Sequence, residues 1–230
     1  MPCLGHSWKG RAMSIQVYGF WRSIASFRVR VALKLKGLPF EETSIDILVG
    51  DQFKPDYAAI NAERVVPTFI HDGHAIYQSL AIIEYLDDIQ PEPRLIPQDV
   101  KERAYARSLA LMTIADVHPL TVPRVRNHLA KAFGADGKAV ADWGRHWSHE
   151  GLATYERVLA QRPPAPFALG AEPGIADICI AGQVVGGQYL KIEMEAYPLV
   201  SALSARCFAL PAFATSHPYE QPDYKASAPH

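Results

Sequence analysis

The chain has 230 residues, 49% of them apolar, so it is long enough for one large or two modest domains with a proper core and too apolar to be disordered. Its 23 Lys and Arg nearly balance 24 Asp and Glu, and a formal net charge of −1 gives no electrostatic case for nucleic acid or an anionic membrane as partner. Cys3, Cys179 and Cys207 lie far apart with no CxxC pair, which argues against a disulfide framework or a zinc finger and suits a reducing compartment.

No apolar run approaches the roughly 18 residues of a membrane span, and residues 1–12 carry no signal-peptide core. A cytoplasmic location is the default expectation. Met13 sits just before the first apolar run, so residues 1–12 are expected to be a disordered arm, a tag remnant or an upstream start.

Residues 15–20 hold a short apolar run, Ile15, Val17, Tyr18 and Phe20, that reads as a strand. The chain then turns through Trp21 and Arg22 into a helix with Ile24, Phe27, Val31 and Leu35 on one face, ended by Gly37. Ser23 thus falls at a helix start, where free N–H groups and the helix dipole favour an anion. On position alone Ser23 is either a plain helix cap or a hydroxyl donor in a site. Residues 41–48 alternate Thr43, Ile45 and Ile47 as a second strand. A polar loop and a short helical turn near Tyr57 follow.

Residues 65–70 and 74–77 read as strands around an Asp72-Gly73 hairpin turn, and a helix runs over 79–88. Pro67 has no N–H for a ladder. It is either an ordinary edge proline or a bend with a cis Val66–Pro67 bond, which would free the Val66 backbone to pair with an extended peptide. The order predicts a mixed sheet with helices on its faces.

Residues 91–97 hold the densest prolines and read as a linker, and the rest is helical: 101–117, interrupted by Pro119 and Pro123, then 124–133, 139–161, a buried helix over 174–188, and 198–208. The tail 218–230 is expected to be loose. The pairs His71/His74 and His146/His149 lack a third ligand at convincing spacing, so no metal site is expected.

The stretches WRSIASFRVRVALKLKGLPFE, VVP, QSLAIIEYLDD, PEPRLIPQD, ADICI, YPLV and HPYEQPD, in this order over about residues 13–223, resemble the zeta class of glutathione transferases. The resemblance implies an α/β thioredoxin-like glutathione-binding domain over 13–90 and an all-α substrate-binding domain over 98–217, usually in a homodimer. It implies glutathione as cofactor and cis–trans isomerisation of a maleyl keto acid, maleylacetoacetate or maleylpyruvate, in aromatic catabolism. The same likeness assigns Ser23 and Arg22 to catalysis. Val66, Pro67, Gln78, Ser79 and His118 fall to glutathione, and Arg22, Arg124 and Tyr189 to the substrate.

Bland alternatives stand beside these: a helix cap for Gln78-Ser79, solvated charge for Arg22 and Arg124, and a structural histidine for His118. The chain also departs from the family. Ala25 stands where many members carry cysteine, Glu63 replaces a glutamine, Gly174 replaces a capping Ser or Thr, and Tyr189 stands where a substrate arginine is usual. The last departure leaves open a transferase or lyase acting on another electrophile, and a non-catalytic binding protein of the same fold is the third possibility.

Overall fold

The computed structural model describes residues 14–224; the expectation for residues 1–12 lies outside them. Strand β1 (Ile15–Gly19) leads into helix α1 (Ile24–Leu35), followed by β2 (Glu41–Ser44) and the short helix α2 (Pro55–Ile60). The hairpin β3 (Thr68–His71) and β4 (His74–Tyr77) then precedes α3 (Ser79–Ile89). The four strands lie in the order β2-β1-β3-β4, with β1 parallel to β2 and the other pairs antiparallel. Alternation along β1 sends Ile15 and Val17 into the main core with Phe27, Val31, Phe69, Ile82 and Leu86, while Tyr18 packs on the opposite side.

Both strands flanking β1 are shorter than the sequence suggests. β2 ends at Ser44, opposite Gly19, because β1 turns away there and nothing remains to pair. β3 starts only at Thr68, immediately after Pro67, whose peptide bond to Val66 is cis.

The helical part comprises α4 (Val100–Ile114), α5 (His118–Thr121), α6 (Pro123–Phe133), α7 (Gly137–Ala160), α8 (Ile175–Tyr189), α9 (Pro198–Phe208) and α10 (Pro211–Ala214). Pro119 and Pro123 sit in first turns, where no intrahelical N–H is needed, so each opens a new helix. α8 is apolar nearly all round and is accordingly buried, packed against α1, α4, α7 and α9. Gly182 lets α8 approach α1: a Cβ there would lie 3.1 Å from Ile24 Cγ2. Asp177 accepts from the backbone N–H of Gly174 (2.9 Å) and Ala168 (2.8 Å), so the α8 start is capped although Gly174 has no side chain. Burial raises the Asp177 pKa to about 6 against the pull of those bonds.

The proline segment is tied to both sides. Lys36, buried at the end of α1, donates to Asp87 (2.5 Å) and to the carbonyls of Gln90 (2.6 Å) and Pro93 (2.7 Å). Asp87 also accepts from the Leu95 N–H (2.8 Å), and the Leu95 carbonyl receives the N–H of Ile175 (2.8 Å). All three ammonium protons and the carboxylate thus find partners, as a buried ion pair requires.

The expectation of a loose tail does not hold for residues 218–224. A turn of 3₁₀ helix (Pro218–Glu220) carries the chain back to the sheet, where Asp223 accepts from the Trp21 N–H (3.0 Å) and the Ser44 hydroxyl (2.5 Å). Tyr219 and Tyr224 pack at a tilt against Trp21, at ring separations of 6.2 and 4.9 Å. Polar and proline-rich residues disguise a segment whose order comes from distant partners.

Candidate active site

The turn from β1 into α1 is held from several directions. The Ser23 N–H donates to the Phe20 carbonyl (3.0 Å), and the Phe20 N–H donates to Ser26 Oγ (3.3 Å). Buried Arg30 forks onto the Glu42 carboxylate through Nε and Nη2, at 2.7–3.0 Å, and its Nη1 reaches the Trp21 carbonyl (3.5 Å). Gly19 makes room for that fork, since a Cβ there would fall 2.0 Å from Glu42 Oε1.

Ser23 is the N-cap of α1, and its Oγ accepts the Ser26 N–H (3.1 Å). Accepting this bond leaves the hydroxyl proton to be donated, and it meets no acceptor among the described residues. Capping and donation are therefore compatible at Ser23. The half-buried Arg22 guanidinium lies 5.0 Å above the Tyr189 ring, a cation–π contact. The Tyr189 hydroxyl is buried without a hydrogen-bond partner, and burial raises its pKa, which keeps it a donor at neutral pH.

On the sheet side, the backbone N–H and C=O of buried Val66 form no hydrogen bond among the described residues. Gln78 takes a positive φ of 68° at the start of α3, and its exposed amide donates to Glu63 (3.0 Å). Ser79 is 2% exposed, and its Oγ accepts from Arg28 Nε (3.0 Å). Arg28, 1% exposed on α1, has its Nη1 unpaired, and burial lowers its pKa.

Half-buried His118 opens α5, and its pKa is pushed down to about 3 by burial, then by the Arg28 and Arg124 charges. It is therefore a neutral imidazole. Arg124 itself is exposed at the first turn of α6. Two residues on, Arg126 is half-buried, with a buried Nε that has no partner. Burial and then the Arg22 charge lower its pKa. No acid forms an ion pair with Arg22, Arg124 or Arg126 among the described residues. Arginines left without counterions beside a helix N-terminus are a receptor for anions.

The structure thus gathers Arg22 and Tyr189 beside Ser23, and sets His118 within the field of Arg28 and Arg124. Arg28 and Arg126 escaped the sequence reading. Arg28 carries a signal in principle, a charge four residues from Ile24 on a face that is otherwise apolar. Arg126 carries none, since one more arginine on a polar helix looks like solvated charge.

A family model described as glutathione S-transferase, N-terminal domain, matches residues 13–88. A probable maleylacetoacetate isomerase of Vibrio cholerae is 36% identical over 92% of this chain and 99% of its own length. A maleylpyruvate isomerase of Ralstonia is 35% identical over 91% and 99%. A solved maleylpyruvate isomerase structure, described as a bacterial glutathione transferase of the zeta class, superposes with a TM-score of 0.89 at 35% identity, covering 91% of this chain and all of the other. The chain belongs to the zeta class of glutathione transferases. A maleylacetoacetate isomerase of Methylobacterium extorquens, solved with malonate and glutathione bound, also superposes at 0.89, with 40% identity over 92% of this chain and all of the other. In this zeta-class chain the α3 serine faces inward onto an arginine.

Proposed function

We propose that this protein is a glutathione-dependent cis–trans isomerase of a maleyl keto acid, maleylpyruvate or maleylacetoacetate. The observation that carries this reading is the pairing of a free Ser23 O–H at the α1 N-terminus with arginines that no acid neutralises. The residues fit glutathione. Val66 offers an unpaired backbone N–H and C=O to an extended peptide, and the start of α3 at Gln78-Ser79 offers N–H groups to a carboxylate. Ser79 accepts from Arg28, so its own proton remains available to that carboxylate.

Bound glutathione would supply a thiolate that adds to the cis double bond and, after rotation about the single bond so formed, leaves again unchanged. The protein's part is electrostatic. Ser23 donates to the sulfur, and the α1 dipole lowers the cost of its negative charge, since a free thiol with a pKa of about 8.5 is mostly protonated at neutral pH. Arg22 and Arg124 take substrate carboxylates. Neutral His118 orients through hydrogen bonds and leaves the positive charge to the arginines.

The aromatic wall of Trp21, Tyr189, Tyr219 and Tyr224 favours a second reading, transfer of glutathione to an aromatic electrophile. Following the ultraviolet absorbance of maleylpyruvate with and without glutathione, while titrating free thiol, separates the two. Isomerisation with constant thiol is expected. Loss of thiol on other electrophiles, with maleylpyruvate untouched, would replace the isomerase with a transferase. Family resemblance further supports a homodimer in the cytoplasm, a state that light scattering of the purified protein tests directly.

A further inference from the structure

We propose that Asp223 is a positioning residue for the turn that presents Arg22 and Ser23, so that the C-terminal segment sets the aim of the Ser23 hydroxyl. The inference rests on the reading that Ser23 donates to glutathione sulfur, and it adds a residue from the far end of the chain. Residues 20–23 form a tight turn, closed by the Ser23 N–H on the Phe20 carbonyl (3.0 Å), with Trp21 and Arg22 at its corners. Asp223 Oδ2 takes the Trp21 N–H at 3.0 Å, and the Ser44 hydroxyl at the end of β2 fixes the same oxygen. The Trp21 carbonyl is held more loosely, 3.5 Å from Arg30 Nη1.

The same segment braces the other end of Arg22. Tyr219 meets the Tyr189 ring edge to face at 6.3 Å, and the Arg22 guanidinium lies 5.0 Å over that ring. The segment is anchored in its turn. Gln221 donates to the carbonyls of Thr215 (3.0 Å) and His217 (2.8 Å), and Lys34 of α1 donates to the Thr215 carbonyl (2.8 Å). Ser23 Oγ already accepts the Ser26 N–H, which restricts where its proton can point. Donation by a hydroxyl is directional, so a small rotation of the turn takes that proton off line.

The test compares Asp223→Ala with Asp223→Asn, which both lose the charge, while only asparagine keeps an oxygen for the Trp21 N–H. The thiolate absorbance of bound glutathione is followed against pH in saturated protein, with glutathione affinity measured by calorimetry. In Asp223→Ala the thiol should titrate about one unit higher than in Asp223→Asn, leaving about tenfold less thiolate below both midpoints, with glutathione affinity changed less than about twofold. Ser44→Ala, a milder cut that frees the same carboxylate oxygen, should lower the thiolate in the same direction by less. Equal midpoints in the alanine and asparagine variants, a parental midpoint in Ser44→Ala, or thiolate lost only in step with glutathione binding overturns the proposal. Turnover of maleylpyruvate by the parent protein is scored separately. A thiolate that depends on Asp223 without isomerisation would remove the isomerase reading and keep this role, whereas isomerisation with a thiolate indifferent to Asp223 would do the reverse.

Discussion

At the scale of single residues, Ser23 combines two demands on one oxygen. Its lone pair caps α1 and its proton is left to donate. Ser23→Ala removes both, and the two losses differ in size. A lost cap costs about 1 kcal/mol. Removing a donor aimed at a developing or resting anion costs turnover on the order of 100-fold or more. Measured kcat and a denaturant melt of the same variant should therefore diverge, and unchanged turnover would remove Ser23 from catalysis. His118 makes a pH prediction. Its folded pKa is lowered from 6.5 to about 3, so between those values the unfolded chain binds a proton that the folded one refuses. Stability contributed by this site is present above pH 6.5 and is lost as pH falls toward 3. Denaturant melts between about pH 7 and 4 should show a shallower acid loss in His118→Gln than in the parent. The sequence displayed His118 and Arg124 as candidates, but the burial and the two nearby arginine charges that keep the imidazole neutral come from three separate elements.

At the scale of elements, the β1–α1 turn owes its shape to an ion pair between neighbours in the fold. Arg30 on α1 and Glu42 on β2 meet only because Gly19 has no Cβ, and the pair then reaches the Trp21 carbonyl. A glutamate tip is ordinarily free to swing aside, but here both oxygens are held by the guanidinium. Gly19→Ala should force that carboxylate off a buried arginine and cost about 1–3 kcal/mol in a urea melt, the range for leaving one buried polar group without its partner. A loss below about 1 kcal/mol would mean that the fork does not stabilise the turn. The β1 strand and the α1 helix were legible from period-2 and period-3.6 patterns. The lengths of β2 and β3 were not, because a strand ends where its partner leaves, and alternation continues past that point.

At the scale of the whole molecule, the C-terminal segment closes over the β1–α1 turn. Asp223 is about 200 residues from Trp21 in sequence and accepts its backbone N–H. Asp223→Ala leaves that buried N–H and the Ser44 hydroxyl without their acceptor, which costs about 1–3 kcal/mol. Amide hydrogen exchange should speed up at Trp21 in this variant, and unchanged exchange would show that the segment only rests on the sheet. The strap, the Lys36 hub and the α1–α8 packing through Gly182 join the sheet to the helices.

By itself the sequence determined the order of the main elements, the proline breaks in the helical part, the helix start at Ser23 and the zeta-class motifs, because periodicity, turn chemistry and caps act over a few residues. Tertiary structure alone decided which charges lose their water and which find partners. Arg28, Arg30 and Lys36 are all buried, yet two are fully engaged and Arg28 keeps an open nitrogen. Arg126 became a candidate only when its Nε proved buried without a partner. Burial and unmet hydrogen bonds are properties of neighbours brought from distant parts of the chain, and no local pattern encodes them.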